Sequence, residues 1–189
     1  MSKKDLNNQL ELIKRCCEND KRAQFELYKM FYKPMYNTSL RILNDRTEAE
    51  DVMQDSFLMA FRKIDEYSGE GDFGAWLRRI VVNNSIDALK KRRQWILPGD
   101  ENLGEDEPEE TQTEDTEYKI AEIKSAMGTL PEQHRVIISL FLFEGYDHGE
   151  ISEILGISYN NSRTRYSRAR QKLLEVLSVQ RKLSVFHPN

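Results

Sequence analysis

Residues 147–172 read DHGEISEILGISYNNSRTRYSRARQK, and the fold turns on how this stretch breaks in two. Ile151, Ile154 and Leu155 fall at the i, i+3, i+4 spacing of one helical face, and Gly156 follows where a helix ends in a left-handed cap. Ser158 is a favourable N-cap for a second helix, along which Tyr166, Ala169, Leu173 and Leu177 continue an apolar stripe. The stretch therefore predicts helix, turn, helix. At about 100° per residue, Asn160, Arg163, Thr164, Ser167, Arg168 and Gln171 lie mostly away from that stripe, and Asn161 adjoins them. Side chains that bond base edges or phosphates thus crowd one face, as a DNA-reading helix requires. The competing reading is a solvated basic helix closing an α-bundle.

Working outward, 189 residues with 39% hydrophobic content suffice for two small helical domains. No apolar run approaches the roughly 20 residues that span a bilayer, and MSKKDLNNQLEL lacks the apolar core of a secretory signal. A cytoplasmic protein without membrane insertion is expected. Cys16 and Cys17 are adjacent and have no metal-ligand spacing to another Cys or His, so they read as reduced, packed side chains. His134, His148 and His187 are scattered and form no catalytic or metal set, and no cofactor is implied. The net charge of −4 opposes nucleic-acid binding until it is resolved along the chain. Residues 1–95 carry 18 basic against 15 acidic groups, residues 96–122 carry 1 against 11, and residues 123–189 carry 9 against 6. Two mildly basic halves flank an acidic strip, and the strip sets the global sign.

From the N-terminus, residues 5–18 predict an amphipathic helix with Leu6, Leu10, Ile13 and Cys17 on one side, broken by Asn19 and Asp20. A longer helix from Lys21 to Asn44 carries Phe25, Leu27, Tyr28, Phe31, Tyr32, Met35 and Tyr36 as core, with Pro34 expected to bend or restart it. Asp45 with Glu48, or Thr47 with Glu50, has capping-box spacing ahead of a third helix reaching about Ile64. Its core stripe is Ala49, Met53, Phe57, Ala60 and Ile64; the opposite side gathers Asp51, Gln54, Asp55 and Leu58. An exposed leucine among carboxylates fits either a docking face or solvated charge. Residues 66–72, EYSGEGD, form a glycine-punctuated loop before a helix over 73–93 that ends in KKRR. Trp76, Ile80, Asn83 and Asp87 share a narrow arc beside Phe73 and Leu77, a combination suited to stacking and edge recognition of an unpaired base, or to core packing. Residues 97–115, LPGDENLGEDEPEETQTED, read as a disordered linker, after which Tyr118, Ile120, Ile123, Met127 and Leu130 resume a helical pattern. Pro131 fits a first helical turn, Val136, Ile137, Leu140, Phe141 and Phe143 form the next helix, and Gly145 ends it. The fold class is all-α: two small helical domains, 1–95 and 118–189, joined by an acidic flexible linker at 96–117.

Three motifs in this order, AEDVMQDSFLMAF, FGAWLRRIVVNNSIDALKKRR and LPEQHRVIISLFLFEGYDHGEISEILGIS with its SRAR continuation, resemble the extracytoplasmic-function group of sigma factors, sigma-70 family. The resemblance covers roughly residues 20–95 and 118–178. It implies a protein that is not an enzyme but directs core RNA polymerase to promoters, commonly under an anti-sigma factor. Asp51, Gln54, Asp55 and Leu58 would then bind the polymerase. Tyr67, Ser68, Gly69, Asp72, Phe73, Trp76, Asn83 and Asp87 would capture the melted non-template strand of the minus-ten element. Asn160, Asn161, Arg163, Thr164, Ser167 and Arg168 would read the minus-thirty-five duplex. The acidic linker would thread the polymerase interior, where the simpler reading is a solvated tether. Ser162 and Asn160 depart from the family's usual valine and glycine, and Ser152 from its alanine, so base preference does not transfer residue for residue. The rivals are a stand-alone helix-turn-helix regulator that binds duplex DNA without polymerase, a nucleic-acid enzyme using Asp51, Asp55 or Asp87, and a catalytically silent interaction protein.

Overall fold

Helices approach closely where their facing side chains are small, and three buried serines mark such a contact in the N-terminal half. The computed structural model describes residues 3–69, 71–92 and 120–186, and divides the chain into two compact units, Met1–Arg92 and Arg93–Asn189. In the first unit lie α1 (Lys3–Cys17), α2 (Lys21–Leu43), α3 (Arg46–Arg62), a short tight turn of helix at Ile64–Glu66, and α4 (Phe73–Lys91). α2, α3 and α4 pack on one another, and α1 lies against α2. Ser39, Ser56 and Ser85 are buried among them. The Ser85 hydroxyl donates to the Val81 carbonyl at 2.7 Å and lies 3.2 Å from the Ser39 hydroxyl. Ser56 donates to the Val52 carbonyl at 2.6 Å and accepts from the Asn84 amide at 2.9 Å. Each enclosed hydroxyl therefore keeps a partner, which removes the cost of burying it.

Local chemistry fixes the helix ends. The Asp20 carboxylate accepts from the backbone N–H groups of Arg22 and Ala23 to start α2, and the Arg15 guanidinium holds the same side chain at 2.9 Å. Asp45 caps α3 by accepting from Glu48 N–H at 2.9 Å, and Asp72 caps α4 by accepting from Gly74 N–H at 3.0 Å. The C-terminal end of α4 is tied back by Arg92, which ion-pairs with Glu48 at the start of α3.

Three expectations are corrected. α2 runs unbroken through Pro34, which lies on the exposed side, where water can satisfy the carbonyl that proline leaves without a donor. The buried stripe of α1 is Gln9, Leu12, Ile13 and Cys16, with Cys17 exposed. That is one position around the helix from the stripe predicted through Leu10 and Cys17. Phe25 is 58% exposed and Tyr32 lies at the surface, so the α2 aromatics are not uniformly core. By contrast Ala49, Met53, Phe57, Ala60 and Ile64 are all buried, as the α3 spacing required.

The second unit holds α5 (Ile120–Thr129), α6 (Glu132–Ile138) continued by a π-helical turn at Ser139–Phe143, α7 (His148–Leu155) and α8 (Tyr159–Phe186). α5, α6 and α7 each pack on α8. Among the described residues its buried apolar side chains include Met127, Leu130, Val136, Ile137, Ile138, Leu140, Ile151, Leu155, Ala169, Leu173 and Leu177. Gly145 ends the wider turn at φ 77°, and Pro131 immediately precedes α6. Among the described residues the fold is all-α, with no strand. The linker expected at 96–117 lies outside the described residues.

Candidate nucleic-acid and partner-binding faces

In the second unit, three caps fix the start of α7, its end and the start of α8. Asp147 accepts from Glu150 N–H at 2.9 Å while the Glu150 carboxylate accepts from Asp147 N–H at 2.9 Å, a reciprocal capping box. The D-x-x-E spacing was present in the sequence and is the signal that finds it. Gly156 closes α7 at φ 70°, a left-handed position open to glycine at little cost. Ser158 then accepts from Asn161 N–H at 3.2 Å to open α8.

The joint is packed around His148. Its ring stacks on Phe141 with centroids 4.8 Å apart and an interplanar angle of 26°, and meets Tyr166 edge-on at 5.6 Å. Phe141 and Tyr166 are themselves 4.2 Å apart. The His148 Nδ1 lies 3.0 Å from the Ser162 hydroxyl, which is fully buried. Burial, and then the Arg163 cation, hold the imidazole below its usual range, with Asp147 acting the other way. The small side chain at 162 thus brings a polar group into the helix contact and is answered by a histidine fourteen residues earlier. Ser152 keeps its hydroxyl bonded to the Gly149 carbonyl at 2.6 Å. Sequence spacing alone did not connect His148 with Ser162.

The outer side of α8 carries the predicted residues unevenly. Asn160, Arg163 and Arg168 are exposed, and Thr164 and Ser167 are half-buried beside them. Ala169, Leu173 and Leu177 are buried on the opposite side. Asn161 is a correction: it is only 7% exposed, and its side-chain oxygen accepts from the Arg165 guanidinium at 2.7 Å. It shapes the first turn of α8 from inside instead of facing outward.

In the first unit, α3 presents Asp51, Gln54, Asp55 and Leu58 to solvent along one side. Leu58 is 55% exposed, although Phe57 beside it is buried. The amide of Gln54 reaches the Glu50 carboxylate at 3.4 Å. Among the described residues no three His, Cys, Asp or Glu side chains gather as they would around a metal ion.

The loop before α4 is shaped by its own contacts. Gly69 and Gly71 take positive φ, and the Tyr67 hydroxyl donates to the Gly71 carbonyl at 2.9 Å, closing the loop over the start of α4. Tyr67 meets Phe73 at 85° with centroids 5.4 Å apart and Trp76 at 5.6 Å. Phe73, which the sequence left between base contact and core packing, is 2% exposed and packs against Phe31 as well. Glycine at 74 lets the ring pack closely, because a Cβ would stand 3.0 Å from the Phe31 ring and push it back by a few tenths of an ångström. Trp76 is half-buried, whereas Ser68, Gly69, Asp72, Asn83 and Asp87 are exposed. Asp72 is also the α4 cap. The exposed surface there is therefore the loop, the rim of Trp76 and the polar positions Asn83 and Asp87 about two and three turns further on, over a buried aromatic floor. The basic run after α4 is partly spent inside the fold, since Arg92 pairs with Glu48.

Known proteins align with both units. Residues 27–95 match Sigma-70 region 2, and residues 120–173 match Sigma-70, region 4. The RNA polymerase sigma factor CnrH of Cupriavidus metallidurans is 33% identical over 143 residues, covering 70% of this chain and 75% of that protein. The ECF RNA polymerase sigma factor SigE of Mycolicibacterium smegmatis is 29% identical over 81% of this chain, which spans 61% of that longer relative. Among solved structures, the sigma factor RpoE of Bartonella quintana, in complex with the anti-sigma factor NepR, shares the fold. The TM-score is 0.54 at 23% identity, covering 82% of this chain and 96% of that one.

Proposed function

The chain belongs to the sigma-70 family of RNA polymerase sigma factors, in its extracytoplasmic-function group, and from that premise we propose how its two units divide promoter recognition. As a sigma factor it directs RNA polymerase to promoters; the polymerase supplies the catalysis, and no chemical step is assigned to this chain. In the reading put forward here, Asp51, Gln54, Asp55 and Leu58 on α3 dock on the core enzyme. The 67–72 loop, Trp76, Asn83 and Asp87 then hold the melted non-template strand of the minus-ten element, with Phe73 as their support. Asn160, Arg163, Thr164, Ser167 and Arg168 read the minus-thirty-five element as duplex. The protein works where the polymerase is, in the cytoplasm, and among the described residues no helix is long and apolar enough to cross a membrane. An anti-sigma factor is a further proposed partner, by analogy with RpoE and NepR.

One observation supports the duplex reading most directly. α8 buries Ala169, Leu173 and Leu177 on one side and leaves Asn160, Arg163 and Arg168 exposed, just after a tight capped turn. Arginine reads guanine and asparagine reads adenine through paired hydrogen bonds in the major groove. The test is run-off transcription by purified core polymerase on genomic fragments, with and without the protein. Protein-dependent start sites are expected. Arg163→Ala or Arg168→Ala should each cost about 1 to 3 kcal/mol of promoter binding where the arginine bonds a base bidentately. Absence of any protein-dependent start overturns the reading.

A further inference from the structure

We infer that Tyr159 is a specificity-determining residue of α8, its ring placed to pack against the C5-methyl group of a thymine in the promoter duplex. This rests on the duplex reading of α8 given above and adds to it a residue outside the predicted set. Tyr159 is the first residue of α8 and is 54% exposed. The first turn of a helix lying in the major groove is the part that meets base edges. Tyr159 stands directly before Asn160 and one helical turn before Arg163, so the three side chains open onto neighbouring surface.

The ring is braced by His148. It meets the His148 ring edge-on, with centroids 6.1 Å apart at 87°. His148 is itself fixed by its stack on Phe141 and its bond to the Ser162 hydroxyl. An exposed aromatic held in this way loses little freedom when it packs against a ligand.

The chemistry of the face points to the kind of contact. Asn160, Arg163, Thr164, Ser167 and Arg168 offer donors and acceptors, which read the hydrogen-bonding edges of bases. The thymine methyl is the one feature of the major-groove code that is read by apolar surface. Tyr159 supplies a broad apolar surface at the reading end of α8.

The experiment uses the full chain with core polymerase on a promoter found by run-off transcription. Each thymine of the upstream element is replaced singly by uracil, which removes the methyl group and keeps the hydrogen-bonding edge. The expected result is a several-fold loss of binding at one position for the wild-type protein, the same loss for Tyr159→Phe, and equal binding of thymine and uracil by Tyr159→Ala. The inference is overturned if no uracil position affects the wild type, or if Tyr159→Ala still discriminates. It is also overturned if Tyr159→Phe loses binding as Tyr159→Ala does, because the hydroxyl on a phosphate would then be the contact. Arg163→Ala separates the two levels. If it weakens binding to the upstream element while the Tyr159 variants behave as wild type, only this inference falls. If it too has no effect, the duplex reading of α8 falls with it.

Discussion

A hydroxyl enclosed between helices is tolerated when it has a partner, and Ser162 has one in His148. The pair makes the α7–α8 joint sensitive to protons. His148 and His134 are both held below the ordinary value of 6.5, first by burial and then by the cations Arg163 and Lys172 respectively. For His148, Asp147 opposes this but does not reverse it. A depressed folded pKa means that the unfolded chain binds protons more readily. The stabilisation is then full above 6.5, declines as the pH falls below it, and is gone below the folded values. The thermal midpoint of the full chain, followed by circular dichroism, should fall between about pH 7 and pH 5. His148→Asn, which cannot titrate, should flatten part of that fall; an unchanged slope would remove His148 from the account. Ser162→Ala should cost roughly 1 to 2 kcal/mol at neutral pH, because it leaves the imidazole nitrogen unpaired in a closed contact. Cys16 gives no comparable switch near neutrality, since burial pushes its thiol up to about 11.

At the scale of elements, α3 separates folding from docking on two sides of one helix. Phe57 packs edge-on to Tyr28 and is buried, so Phe57→Ala should cost about 3 to 5 kcal/mol in chemical denaturation. Leu58, one residue on, is 55% exposed, and Leu58→Ala with Asp55→Ala should change stability by no more than about 0.5 kcal/mol each. The same pair should weaken core polymerase binding by roughly tenfold or more if this side is the docking face. Unchanged affinity in a titration of labelled protein with core enzyme would count against it. Asp147→Ala, which breaks the α7 capping box, should cost about 1 kcal/mol. The α3 stripe was legible because its buried positions, Ser56 apart, are apolar and regularly spaced. The α1 stripe was not: Gln9 is buried and Leu10 only partly so, an arrangement set by how α1 lies on α2, which no local pattern encodes. Pro34 misled because its cost depends on whether the freed carbonyl meets water, a property of the assembled surface. The exposure of Asn160, Arg163 and Arg168 on α8 could be predicted from helical phase, but phase alone could not show Asn161 turned toward Arg165. Nor could it decide that Phe73 is buried while Trp76 is only half-buried.

For the whole molecule, polymerase docking and duplex reading are assigned to residues in different compact units, each with its own buried side chains. The charge pattern supports a protein that works in company. A chain of net charge −4, with 11 acidic residues between 96 and 122, gains little general attraction to DNA even though its flanking halves are mildly basic. Specificity must then be exercised mainly when the polymerase supplies further contacts. This arrangement predicts that the two kinds of defect respond differently to mass action. If α3 docks as proposed, variants of Asp55 and Leu58 should lower the fraction of polymerase carrying the factor, and raising the core enzyme concentration should restore run-off transcription toward the wild-type level. Variants of Arg163 or Arg168 leave that fraction unchanged and weaken the promoter step, so excess core enzyme should not restore them and excess promoter DNA should. Rescue of the α8 variants by core enzyme alone would mean that their arginines act in docking, and the division between the units would have to be redrawn.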